Sequence, residues 1–277
     1  MAEKDPVTAC VIVIGNEILS GRTQDTNLQF LGRRLNELGI RLREARVIPD
    51  IPEVIADVVN ECRAKFDYVF TTGGIGPTHD DITSESIAAA FGVKLHRHPE
   101  AIALLAPYYG PGEFTEARMR MATVPEGAEL IHNPVSAAPG FRMENVFVMA
   151  GIPSIMQAMF ETFTHLLTGG EPVLSRSIRV VVGESVIAPG LSELQNRYPD
   201  IDIGSYPAVR RRRFGVSVVL RGTDAGVLER ALAELKEMLR ELGLEPEDEL
   251  SGPAGAATDG ETGGEVVEAA EEAGEGA

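Results

Sequence analysis

Residues 68–91 fix the kind of fold this chain can adopt. Tyr68-Val69-Phe70 is an apolar run, and Thr71-Thr72-Gly73-Gly74-Ile75-Gly76-Pro77-Thr78-His79-Asp80-Asp81 is a glycine-rich turn. Ile82, Ile87, Ala90 and Phe91 then recur at helical spacing before Gly92. Strand, tight turn and helix make half of a parallel crossover unit. The same alternation runs through the first 170 residues. Residues 9–14 form a continuous apolar run of the kind that suits a strand buried on both faces. Leu28, Leu31, Leu35 and Leu38 predict a helix stopped at Gly39. Residues 41–48 read as a second strand and 54–62 as a second helix. Residues 67–72 and 145–149 read as strands, and 154–167 as a helix after Gly151-Ile152-Pro153. The expected architecture is α/β: a three-layer α/β/α arrangement around a mostly parallel sheet.

Gly169-Gly170-Glu171-Pro172 reads as a linker. Beyond it, strands at 178–182, 201–206 and 214–220 and helices at 191–197 and 227–242 predict a smaller α+β domain. The expected boundaries are therefore 1–170 and 171–245, followed by a disordered acidic tail over 246–277. That tail holds ten acidic residues and no Lys or Arg, so the net charge of -17 leaves only -7 for the rest of the chain. A mildly acidic body lacks the basic face that nucleic-acid binding requires, and no nucleic-acid partner is expected. No apolar run approaches the roughly 20 residues of a membrane span. The polar start Met1-Ala2-Glu3-Lys4-Asp5-Pro6 lacks a signal-peptide pattern, so a cytoplasmic location is expected. The two cysteines, Cys10 and Cys62, read as buried small hydrophobes. Met119, Met121, Met156 and Met159 read as core filler.

The chemistry concentrates in the loops after the strands, because ligands of such sheets sit at the carboxyl ends of strands. The turn at Gly73, Gly74 and Gly76, shaped by Pro77 and Thr78, exposes backbone amides beside a helix N-terminus and suits phosphate. Its spacing is not the dinucleotide fingerprint, since His79 stands where a third glycine belongs, and it has no P-loop lysine. Asp80 and Asp81 at its far end would repel a phosphate unless a cation bridges them. The pattern therefore suggests phosphate with a divalent metal, Mg²⁺ or a similar ion. Glu17, in Gly15-Asn16-Glu17-Ile18-Leu19-Ser20-Gly21, emerges at the same edge as a further metal carboxylate, and Asp50 follows the second strand there. Asp50 also suits a water-orienting base. Asn16, Ser20 and Asn27 are candidates for ribose or base hydrogen bonds. Gly15, Gly151 and Pro153, with Pro139-Gly140, would close the pocket. Plainer uses exist for several of these. One of Asp80 and Asp81, and Asp50 as well, suit helix N-caps. His96-x-His98 reads as a loop or helix start rather than a ligand pair, and the Arg210–Arg213 run as a solvated face. His79 has a third option, touching phosphate or a leaving group.

The stretches Gly15–Gly21, Gln24-Asp25-Thr26-Asn27 and Gly73–Asp81 resemble the molybdopterin-binding domain family over about residues 8–168. That family holds the molybdopterin adenylyltransferases of the MoaB/Mog type. Within it the motifs look closest to the competence/damage-inducible protein A (CinA) group and to the molybdopterin-binding-like domain of eukaryotic FAD synthase. Ile203-Gly204-Ser205-Tyr206-Pro207 is similar to the second domain of that subgroup. The resemblance implies a homo-oligomer, dimer or trimer, and catalytic use of the aspartates matching Asp50 and Asp81. In the CinA-like group it implies metal-dependent cleavage of dinucleotide pyrophosphates such as ADP-ribose and FAD. The chain shows neither the amidase domain of full-length CinA nor the synthase domain of the FAD enzyme, so those two activities are not expected. Two other functions remain open: adenylyl transfer to a pterin phosphate, and a non-catalytic nucleotide- or pterin-binding module.

Overall fold

The computed structural model describes residues 6–109, 112–210 and 213–249, with the backbone alone at 209, 210, 213, 252 and 253. The chain divides into two compact units, one reaching Val173 and the other beginning at Leu174.

The first unit opens with β1 (Thr8–Ile14), α1 (Asn16–Leu19), α2 (Asn27–Glu37), β2 (Arg41–Ile48), α3 (Pro52–Lys65), β3 (Tyr68–Thr72) and α4 (Thr83–Phe91). It continues through β4 (Leu95–Arg97), α5 (Pro99–Tyr108), α6 (Glu116–Met119), β5 (Thr123–Pro125), β6 (Glu129–Ile131), β7 (Gly140–Met143), β8 (Val146–Met149) and α7 (Pro153–Phe163). A six-stranded sheet runs in the order β2-β1-β3-β8-β7-β6. Its first four strands are parallel and its last two antiparallel.

The unbroken apolar sequence of β1 has a direct structural cause. Side chains of a strand alternate between faces. Cys10, Ile12 and Ile14 enter a core with Ile55, Val59 and Cys62 of α3 and Ile87 of α4. Ala9, Val11 and Val13 enter the opposite core with Leu31 and Leu35 of α2 and Met156, Met159 and Phe160 of α7. Helices thus cover both faces, and the two cysteines lie fully buried with sulfurs 3.4 Å apart. The methionines at 121, 156 and 159 are buried, and Met119 packs against a satellite core.

The second unit contains β9 (Leu174–Val180), α8 (Glu184–Arg197), β10 (Asp202–Arg210), β11 (Arg213–Gly222), α9 (Ala225–Glu241) and β12 (Glu247–Asp248). Its antiparallel strands run β10-β11-β9-β12. Leu228, Leu232, Leu235 and Leu239 of α9 pack with Ile187 and Leu194 of α8 against Ile178, Val216, Val218 and Leu220.

Two sequence expectations need correction. Residues 247–249, read as the start of a disordered tail, join the sheet. Glu247 and Asp248 pair with Arg179 and Ile178, Glu249 donates its amide to Ser177, and Lys236 binds the Asp248 carboxylate at 2.6 Å. The acidic sequence is neutralised locally, which composition alone does not reveal. Residues 250, 251 and 254–277 of the tail lie outside the described residues, as do Arg211 and Arg212. Helix α8 begins at Glu184, seven residues before the expected start, and carries Pro189 inside it. Ile187, in the turn before Pro189, is fully buried.

Among the described residues no helix is long and apolar enough to cross a membrane.

Candidate functional site

The four parallel strands deliver their following loops to one edge of the sheet. Gly15 through Ser20 follow β1, Asp50 follows β2, Gly73 through Asp81 follow β3, and Gly151 through Pro153 follow β8. The loops are drawn together so closely that side chains are excluded. A Cβ on Gly73 would overlap the carbonyl oxygen of Ile14, and Gly73 has φ of 105°. A Cβ on Gly74, with φ of 70°, would overlap the Thr83 hydroxyl. Both positions therefore require glycine. Thr83, fully buried at the start of α4, fixes this turn. Its hydroxyl donates to the Gly73 carbonyl at 2.9 Å, and its amide donates to the Gly74 carbonyl at 3.0 Å. Among the described residues the amides of Gly74, Ile75 and Gly76 have no protein acceptor. They remain available to an anion, as the sequence predicts.

Asp81 sits against Gly76, and its Oδ2 accepts from the Thr78 amide at 2.8 Å and the Thr78 hydroxyl at 2.5 Å. Its carbonyl accepts from Arg120 at 3.0 Å. Asp50 accepts the Asn16 amide at 2.8 Å, joining the loops after β1 and β2. Neither aspartate caps a helix. The N-cap positions of α3 and α4 fall on Ile51 and Ile82, without a side-chain cap bond. A tertiary bond claims the Asp50 carboxylate, and a bond within the turn itself claims that of Asp81. Asp80 is exposed. Ser20 donates to the Glu17 carbonyl at 3.2 Å, a bond local to its own turn. His79 is almost wholly exposed. His98 directly precedes α5, a helix-start position. Pro139 and Gly140 end the loop that β6 and β7 bring to the same edge, but they line neither of the two recesses beside the glycine turn.

Two recesses flank the glycine turn. One, of about 120 Å³, lies on the α4 side and is lined by Gly76, Asp81, Ser84, Glu85, Arg120 and Thr123, among others. The other, of about 50 Å³, lies on the α2 and α7 side and is lined by Glu17, Asp25, Asn27, Thr72, Gly151 and Pro153, among others. The Asn27 amide donates to the Gly151 carbonyl at 2.8 Å, holding the second recess together. Arg120, Thr72 and Thr83 were not singled out in the sequence. Thr72 carried a signal, as a polar residue ending an apolar strand; Arg120 carried none, lying 39 residues from Asp81 in the chain.

Among the described residues no group of three or more His, Cys, Asp or Glu is placed to hold an ion. Glu17 folds back on Gly15, while Asp81 turns to Thr78. Among the described residues the side chains alone present no cation cage.

A family described as "Probable molybdopterin binding domain" matches residues 10–174, and "FAD synthase, middle domain" matches residues 172–248. An Archaeoglobus fulgidus protein is 35% identical over 231 residues, spanning 83% of this chain and 97% of its own. The "Probable FAD synthase" of Caenorhabditis elegans is 31% identical over 258 residues, 84% of this chain and 50% of its own length. The solved structure of the protein CinA from Thermoplasma acidophilum, of unknown function, is 34% identical with a TM-score of 0.55, covering 58% of this chain and 98% of that one. The chain belongs to the molybdopterin-binding domain family and is similar to its CinA and FAD synthase branches.

Proposed function

We propose that the protein is a nucleotide pyrophosphatase acting on dinucleotide diphosphates such as ADP-ribose or FAD. The observation that carries this reading is the pair of recesses on either side of a turn with three free amides. A dinucleotide has the matching layout: two bulky halves joined by a diphosphate. The divalent ion expected from the sequence belongs to the substrate here, because Mg²⁺ binds phosphate oxygens and needs few protein ligands.

The amides of Gly74, Ile75 and Gly76 receive phosphate oxygens and stabilise charge that develops on them. Asp50, held by the Asn16 amide, orients the attacking water, and Asp81, held by Thr78, faces the same diphosphate from the α4 side. Water adds to one phosphorus and the bridging oxygen leaves with the other phosphate. ADP-ribose then yields AMP and ribose 5-phosphate, and FAD yields AMP and FMN. The family resemblance also leads us to propose a cytoplasmic homo-oligomer, dimer or trimer, which light scattering would test.

Incubation of the protein with ADP-ribose or FAD and Mg²⁺, followed by chromatography, is expected to show AMP. Asp81→Asn is expected to lower the rate by about a hundredfold, a typical loss for one positioned charged group. AMP appearing only joined to an added pterin phosphate would replace hydrolysis by adenylyl transfer. Absence of AMP with every substrate and metal, while nucleotide still binds, would leave a binding module.

A further inference from the structure

Arg97, Arg118 and Arg120 stand in one stretch of chain, and of the three only Arg120 is bonded to the glycine turn. Arg97 pairs with Glu116. Arg118 donates to the Glu113 carbonyl at 2.5 Å and lies 4.1 Å from the centre of the Tyr109 ring. Arg120 instead donates from Nη2 to the Asp81 carbonyl at 3.0 Å. Its backbone is held in place, because Met121 and Ala122 beside it are buried and the Ala122 carbonyl accepts the His98 amide at 2.8 Å. The same Nη2 stands 3.6 Å from Glu85 Oε1, beyond hydrogen-bond reach. Among the described residues Arg120 Nε and Nη1 have no hydrogen-bond partner. A guanidinium presents its N–H donors as a fork that matches phosphate. Arg120 lines the α4-side recess together with Ile75 and Gly76, whose amides are free. It is the one Lys, Arg or His among the described residues that line the two recesses.

Two carboxylates share this recess. The Oδ2 of Asp81 is already taken by the two Thr78 donors. Glu85 is different, because its side chain is 55% exposed and it stands near Arg120 as a counter-ion without a hydrogen bond. A better acceptor can therefore replace it. We infer that Arg120 binds the phosphate of the ligand in the α4-side recess, releasing Glu85 to water, and so adds a charged donor to the amides of Gly74, Ile75 and Gly76. The inference deepens the pyrophosphatase reading and rests on it for the ligand, a nucleotide. It needs no cleavage, so a nucleoside monophosphate can test it.

The test is calorimetric titration with AMP and with adenosine, which lacks the phosphate, at several salt concentrations. Arg120→Gln is expected to weaken AMP about 10-fold or more, as the loss of a charge-assisted hydrogen bond does, and to leave adenosine unchanged. The affinity of that variant for AMP is also expected to fall less steeply with salt, because a screened charge pair is gone. Loss of the Asp81 carbonyl bond alone would not change the salt dependence. Glu85→Gln keeps that bond and frees the guanidinium, so it is expected to tighten AMP about threefold or more. The gain is expected to vanish when Arg120→Gln is added. Wild-type affinity for AMP in Arg120→Gln, or a loss with unchanged salt dependence, would overturn the inference. So would unchanged or weaker binding in Glu85→Gln, a gain that survives in the double variant, or no binding of AMP by the folded wild-type protein. Loss of the pyrophosphatase reading would show separately, as failure to release AMP from ADP-ribose or FAD by protein whose AMP binding still responds to both substitutions.

Discussion

In the second unit a half-buried polar side chain is tied to the fold by three hydrogen bonds, whereas the first unit keeps buried polar atoms without a partner at one sheet edge. In the second, Gln195 of α8 donates to the carbonyls of Tyr198 and Ile201 and accepts the Ile203 amide. One side chain thereby closes the connection between α8 and β10. In the first, Asn27 and Thr72 are more deeply buried, yet each keeps an atom without a partner. The two also use glycine differently. Gly190 of α8 is crowded only by the flexible side chain of Met238, but Gly73 is crowded by the Ile14 backbone. Polar atoms without partners and glycines without alternatives mark where a chain gives up stability for a ligand.

The sharpest test of this contrast is Gly73→Ala. A methyl group there meets a carbonyl that cannot move, in a backbone region closed to most residues. Stability is expected to fall by about 3 kcal/mol or more, read from urea denaturation. A small change would show that the loops after β1 and β3 are slack. Thr83→Val comes next. It leaves the Gly73 carbonyl without its donor and is expected to cost about 1–3 kcal/mol, with a matching loss of AMP release. Gly190→Ala probes the other unit. Displacement of Met238 opposes a gain in helix propensity of about 1 kcal/mol, so Tm is expected to shift by only a few degrees.

The smallest expected effects are the pH limits, which separate the units again. In the first, hydrogen bonds from Lys65 and then Arg46 hold the Glu44 carboxyl below its ordinary value. A depressed folded pKa gives stability that is present above the unfolded value and is lost as the pH falls through the folded one. In the second, the hydrogen bond between the Tyr198 hydroxyl and Glu234, at 2.6 Å, raises the tyrosine. That contribution is present below the ordinary tyrosine pKa and is lost as the pH rises through the raised one. Melting curves of Glu44→Gln should therefore flatten on the acid side, and those of Tyr198→Phe on the alkaline side. The reverse assignment would contradict the attribution.

The sequence showed most clearly what depends on neighbouring residues. The double burial of β1 is visible as an unbroken apolar run, and the turn at Gly73 as glycine between strand and helix. The short strands between residues 95 and 143 were not legible. Three or four residues give too little alternation, and their pairing, such as Leu95 with Pro125, joins distant segments. The site divides in the same way. The free amides could be expected from the turn, but the distant partners of Asp50 and of the Asp81 carbonyl could not. Asn16 reaches Asp50 across 34 residues, and Arg120 reaches the Asp81 carbonyl across 39. The local pattern offers Asp50, and one of Asp80 and Asp81, only as helix caps.

The most direct test of the account is a crystal structure of the protein with the α,β-methylene analogue of ADP-ribose, which resists cleavage. The account predicts phosphonate oxygens within hydrogen-bond reach of the Gly74, Ile75 and Gly76 amides, with Asp50 and Asp81 facing the bridge. A bridging group bound away from that turn, or one whose two halves both lie on the same side of it, would contradict it.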